Sequence, residues 1–186
     1  MNRTRTITVC ILLSFCAAGA LGDAESDFDS LFGEDVKRVT ASRNTKEAAE
    51  LAAQMLKTAG SVANRPDLDL VIWRYAAELG AKDPSGFITA IAAIRKLVKV
   101  APTDAHKWVD KLSAIYRRRY SLARGDDRFA VGSEQVDDFV AIGDVQAAAG
   151  KSYYAMSTYR RALSTATLIR SPRKTEILAK IKTANK

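Results

Sequence analysis

Residues 139–163 read Phe-Val-Ala-Ile-Gly-Asp-Val-Gln-Ala-Ala-Ala-Gly-Lys-Ser-Tyr-Tyr-Ala-Met-Ser-Thr-Tyr-Arg-Arg-Ala-Leu, and this stretch decides the fold. Two helical segments meet at Gly150-Lys151, which reads as a tight turn. Ahead of the turn, Phe139, Ile142 and Gly143 share one helix face; behind it, Ala155, Tyr159, Ala162 and Leu163 share another. Gly143 and Ala155 are small enough to let two helices approach closely. Phe139, Tyr159 and Leu163 fill the layers beside that contact.

Outward from this pair the same pattern continues. Thr45 to Ala59, Asp67 to Leu79, a helix opened by Asp83-Pro84 and running to Val100, and one from Pro102-Thr103 to about Arg124 all carry apolar stripes of helical period. Gly125-Asp126-Asp127 reads as a loop, and Ser133 as the cap of a helix reaching about Ala149. Ser152 to Ile169 follows, then a short helix after Ser171-Pro172. No segment alternates apolar and polar residues as a half-buried strand does. The expected fold class is all-α.

An earlier pair repeats the theme: Trp73-x2-Ala76-Ala77, then Phe87-x2-Ala90-x3-Ile94-x2-Leu97. Trp73 and Phe139 are 66 residues apart, close to twice a period of about 34. In order and spacing, Phe139-x2-Ile142-Gly143 followed by Ala155-x3-Tyr159-x2-Ala162 resembles the tetratricopeptide repeat. The resemblance covers about Asp67 to Ile169, with Gln146 in place of the repeat's Tyr and Thr167 in place of its terminal Pro. It implies antiparallel helix pairs stacked into a short right-handed solenoid; a plain antiparallel helical bundle is the alternative architecture. Trp73, Ala90, Phe139, Ile142, Gly143, Ala155, Tyr159 and Ala162 would be its packing residues. The groove the resemblance implies would be lined by Arg74, Glu78, Lys107, Asp110, Arg117, Asp144 and Ala148. Their mixed signs do not suit a uniformly charged peptide.

The N-terminus has a different character. Arg3 and Arg5 precede an apolar run from Ile7 to Ala18, and small residues follow up to Gly22. This is the layout of a Sec-type signal peptide over 1–22, too short in its apolar part for a comfortable membrane span, and it predicts export to the periplasm or outside the cell. Lipidation at Cys16 is disfavoured because bulky Phe15 precedes it. Cleavage after Gly22 would remove Cys10 and Cys16, the only cysteines, and leave no disulfide and no transmembrane span.

Charge divides the remainder. The chain has 29 basic and 21 acidic residues, a formal +8. Six acids and no base lie between Asp23 and Asp35; setting these and the two N-terminal arginines aside leaves 27 bases against 15 acids, or +12, from Val36 onward. Residues 23–42 therefore read as an acidic, flexible leader, and 43–186 as a single helical-repeat domain. Phe28, Leu31 and Phe32 give the leader an apolar face with which it could dock, and Arg117-Arg118-Arg119 is the expected landing place.

Several chemistries are excluded. His106 is the only histidine and reads as a solvated first-turn residue, so a His/Cys zinc site has no ligand set. There is no nucleophile elbow, phosphate loop or calcium loop. Asp126-Asp127, Asp137-Asp138 and Glu34-Asp35 are adjacent pairs, which diverge around a helix rather than converge on one bond. The expectation is a non-catalytic, cofactor-free exported scaffold that contacts another envelope protein. The rival expectation is binding of a polyanion or membrane surface through the basic body, centred on Arg117, Arg118 and Arg119; nucleic acid is not an expected partner.

Overall fold

The computed structural model describes residues 17–61 and 65–185, and all regular structure among them is helical. In chain order the helices are α1 (Ala17–Ala41), α2 (Thr45–Thr58), α3 (Pro66–Gly80), α4 (Phe87–Val100), α5 (Ala105–Leu122), α6 (Gly125–Ala148), α7 (Ser152–Leu168) and α8 (Lys174–Ala184). Single 3-10 turns at Pro84–Gly86 and Pro102–Asp104 lead into α4 and α5. The all-α reading holds. The signal-peptide reading falls largely on residues outside those described, Cys10 and Cys16 included.

Local chemistry accounts for the helix ends. Asn44 caps α2 by accepting from the Lys46 amide at 3.2 Å, and Pro66 occupies the first turn of α3, where its missing N–H costs nothing. Asp83 accepts from the Ser85 amide at 3.0 Å and so starts the turn into α4. One boundary differs from expectation: α6 begins at Gly125, eight residues before Ser133, so Gly125-Asp126-Asp127 is not a loop. Gly125 takes a φ of +49°, which turns the chain sharply, and the two aspartates then sit in the first turn, where the helix dipole favours them.

Each helix packs on its neighbour in the chain, and several also touch the next but one. α1 lies against α3, α2 against α4 and α4 against α6. Ion pairs extend this from α3 to α5, from α5 to α7 and from α6 to α8. The buried side chains form one continuous apolar core. The order also constrains the repeat register. Trp73 lies on α3 and Phe139 on α6, three helices later, so a strict two-helix alternation puts them in opposite rows. Their 66-residue spacing does not mark equivalent positions in such an array.

Residues 23–41, read from composition as a flexible leader, are helical in α1 and contribute to the core. Phe28 is 1% exposed and stacks on Tyr75 of α3, with ring centroids 4.2 Å apart. Glu25 pairs with Arg74, and Asp27 Oδ2 lies 2.7 Å from the Arg65 guanidinium. The helix therefore lands on α3, not on Arg117–Arg119. Exposed ion pairs are weak and interchangeable, whereas burying Phe28 and Phe32 needs the apolar surface that α2 and α3 present.

Candidate functional site

The side chains expected to line a groove are mostly bound to one another. Glu25 of α1 pairs with Arg74 of α3, Glu78 of α3 with Lys111 of α5, and Asp110 of α5 with Arg161 of α7 at 2.6 Å. Arg74, Glu78 and Asp110 thus belong to a ladder of ion pairs that crosses four helices. Lys107 is held locally by Asp104 at 2.9 Å. Asp144 is elsewhere: it accepts from the Tyr159 hydroxyl and from Lys180 of α8, both at 2.6 Å. Burial, reinforced by this carboxylate, pushes the Tyr159 phenol above its ordinary range. Its partners lie on α7 and α8, so Asp144 takes no part in the ladder that holds Arg74, Glu78 and Asp110. Ala148 is exposed on the same helix.

The basic run on α5 also divides, because successive helical residues diverge by about a quarter turn or more. Arg118 donates to the Ala81 carbonyl at 2.9 Å and lies over the Phe87 ring. Arg119 donates to Glu134 of α6 at 2.6 Å. Only Arg117 of the three turns into an open cleft.

Behind Arg119 is a buried polar junction of α4, α5 and α6. The Tyr116 hydroxyl donates to Asp138 Oδ2 at 2.6 Å, Arg95 Nε donates to Asp138 Oδ1 at 2.7 Å, and Arg95 also reaches Glu134 at 2.9 Å. Asp138 is 7% exposed. Burial, with the neighbouring Asp138 charge, pushes the Tyr116 phenol far up. The acids and bases of this junction satisfy one another and leave no free nucleophile or base.

The cleft into which Arg117 turns lies between α5 and α7, with α6 as its floor. Its two compartments hold about 210 and 310 Å³. In the first, His106 and Tyr154 stack across the mouth with ring centroids 4.3 Å apart, beside Asp110, Ser157 and the floor residue Gln146. In the second, Arg117, Ser113 and Tyr120 of α5 face Ser164 and Thr165 of α7 over Gln135 and Phe139. Arg161 borders both and acts as a strut, donating to Asp110 and to the Ser113 hydroxyl, the latter at 2.9 Å. Helical spacing assembles both walls: 106, 110, 113, 117 and 120 on α5, and 154, 157, 161 and 164 on α7.

Gln146 is the unusual member. It is 1% exposed; its Oε1 accepts from the Thr158 hydroxyl at 2.8 Å, yet its Nε2 has no partner. Leaving a buried donor unmade costs about 1–3 kcal/mol, so the position calls for an explanation. Among the described residues one other buried side-chain atom is in this state, Trp73 Nε1, which borders neither compartment. Sequence reasoning had noted Gln146 only as a departure from the repeat pattern. Arg161 and Tyr154 carried no signal, because their importance comes from the helix opposite.

Among the described residues no group of three or more His, Cys, Asp or Glu could hold a metal ion, and no helix is long and apolar enough to cross a membrane. Comparison with family models, with curated proteins and with solved structures gives no significant match, so the reading of this site rests on its own geometry.

Proposed function

We propose that this chain is an exported, non-catalytic helical scaffold that holds an extended segment of a partner protein in the α5–α7 cleft. The observation that carries the reading is the open cleft itself, with His106, Tyr154 and Ser157 in one compartment and Arg117, Ser164 and Thr165 in the other. A peptide offers acceptors at every residue, through its carbonyl oxygens, and donors through its amides. The walls offer aromatic rings, hydroxyls and a guanidinium, groups suited to contacts with a polar chain. Helices that touch the next and the next but one support a tetratricopeptide-like stack of hairpins, and the n-region and apolar run before Gly22 support export. Arg74, Lys111, Arg119 and Arg161 are each ion-paired within the molecule, so these four cations do not stand free for a diffuse electrostatic surface.

A second reading, binding of a polyanion or an anionic membrane surface, is favoured by one place. At the α5–α6 elbow Leu122 and Phe129 are 60% and 53% exposed beside Arg124 and Arg128. The two readings separate in one experiment: capture of envelope proteins at low and high salt by the wild type, by Ser157→Trp, which fills the cleft, and by Arg124→Glu/Arg128→Glu. The cleft reading expects salt-tolerant capture that Ser157→Trp abolishes. Capture lost at high salt and in the elbow variant, but retained by Ser157→Trp, would overturn it.

A further inference from the structure

Three exposed apolar side chains come from three different helices and meet at one end of the molecule, each beside an arginine. Leu122 closes α5 two residues before Arg124, Phe129 follows Arg128 near the start of α6, and Leu168 closes α7 two residues before Arg170. They are 60%, 53% and 67% exposed. Two contacts bring these ends together. Arg128 Nε donates to the Tyr120 carbonyl at 3.3 Å, which holds the start of α6 beside the end of α5. Gly132 packs so closely on Ile169 that a Cβ there would stand 2.6 Å from Ile169 Cγ2, which sets the end of α7 against α6. Phe129, one turn before Gly132 on nearly the same face, overhangs that end. Exposed apolar residues scattered singly are ordinary, whereas three gathered at one end, each with a cation beside it, mark a surface of contact.

We propose that this end of the molecule docks on an anionic lipid bilayer, with Leu122, Phe129 and Leu168 entering the interface and Arg124, Arg128 and Arg170 at the level of the headgroup phosphates. Binding of this kind grows with the apolar area that enters the lipid and with the attraction of cations to anionic headgroups, and guanidiniums match phosphate oxygens two bonds at a time. The charge balance suits such a surface. Asp126 and Asp127 share the elbow, but the exposed bases Arg124, Arg128, Arg170 and Lys174 outnumber them by four to two. The two carboxylates also face the amide dipoles of the α6 N-terminus, and Arg173 takes up the nearby Asp137 and Glu176. A soluble polyanion would engage the arginines and leave the three apolar side chains in water. A rigid protein would need a separate pocket for each of the three tips, whereas a fluid interface receives all of them at once. Docking rests on the same elbow as the second reading above and commits it to lipid. None of the six residues lines the α5–α7 cleft, so the two surfaces can be tested apart.

The test uses the full mature chain with vesicles of phosphatidylcholine alone, or of equal parts phosphatidylcholine and phosphatidylglycerol, read by co-sedimentation. The expected result is binding to the mixed vesicles only. Arg124→Glu/Arg170→Glu should weaken it at least about 25-fold, from about fivefold for each arginine near an anionic surface. Arg160→Glu/Lys182→Glu makes the same change in net charge at exposed positions away from this end, and should change binding little. Because both cysteines precede Asp23, Phe129→Cys, Leu168→Cys and Tyr153→Cys each give the mature chain a single thiol for an environment-sensitive fluorophore. Emission should move to the blue on mixed vesicles from positions 129 and 168. It should stay fixed at 153, which is exposed at the opposite end of α7. If the vesicles are ignored while the chain is retained on heparin through Arg124 and Arg170, lipid docking is overturned and the second reading survives as a polyanion site. If neither vesicles nor heparin are bound, both are overturned. Vesicle binding without the blue shift at 129 and 168, or equal losses in the two charge-reversed pairs, would mean diffuse attraction and would overturn the docking. Ser157→Trp, which fills the cleft, should bind vesicles as the wild type does; a loss there would place the lipid contact in the cleft and overturn it as well.

Discussion

Gly143→Ala is a demanding test of how α6 and α7 pack. A Cβ at this position would stand 2.4 Å from Tyr159 Cε1 and 2.6 Å from its Cδ1, well inside any tolerable contact. The ring cannot simply swing aside, because Tyr159 is buried and its hydroxyl is anchored to Asp144 at 2.6 Å. Overpacking of this kind costs about 1–3 kcal/mol, whereas exchanging a mid-helix glycine for alanine gains about 1 kcal/mol in helix propensity. The clash wins by roughly 1 kcal/mol, which for a chain of this size lowers Tm by about 2–4 °C. Gly33→Ala in α1 is the matched control. Its new Cβ would meet Asp29 Cβ at 3.5 Å, an ordinary contact, so the propensity gain should remain and Tm should rise by about 2 °C. Thermal and urea denaturation of both variants supply the numbers. In a Tyr159→Phe background the ring loses its anchor and can tilt, so the Gly143→Ala penalty should shrink, a coupling that a double-mutant cycle reads directly. Should Gly143→Ala prove as stable as Gly33→Ala, the close α6–α7 approach is refuted.

Tyr116→Phe removes a buried donor from Asp138 and should cost about 2 kcal/mol in urea denaturation, while leaving helix content by circular dichroism unchanged. Ala155→Leu, at a fully buried position, should cost about 1–3 kcal/mol, whereas Ala148→Leu, at an exposed one, should change stability little; equal shifts would count against the packing described for α7. The Thr45 hydroxyl, followed by the Ser85 amide, holds the Asp83 carboxyl below its ordinary range. A depressed folded-state pKa contributes stability that is present above the ordinary carboxylate range and lost as pH falls through the lowered value; Thr45→Val should move Asp83 back up in a carbon-13 carboxyl titration and shift that loss to higher pH. N-terminal sequencing of exported protein should find Asp23, or Leu21 as the second site, with no lipid on Cys16.

Much of the fold was legible because its signals are local. Asp83 accepts from an amide within a turn of itself, Pro84 and Pro102 fix the backbone of a first turn, and apolar period marks a helix whatever it later packs against. The start of α6 was missed for a related reason. Gly-Asp-Asp is good loop chemistry and equally good first-turn chemistry, and only the course of the chain decides between them. Charge alone pointed the acidic segment to Arg117–Arg119, whereas Phe28 is buried against Tyr75, 47 residues later, where the apolar surface lies.

For the site the division is sharper. The sequence supplied the residue types of the cleft, including Asp110 and Arg117, and the absence of metal or nucleophile motifs. Which cations are free was decided by tertiary structure alone, since a salt bridge such as Asp110–Arg161 joins residues 51 positions apart. The same holds for Gln146, whose meaning lies in a missing partner. A single amide in a helix is ordinary in sequence; it becomes informative only when α5 and α7 close around it and leave one donor unanswered.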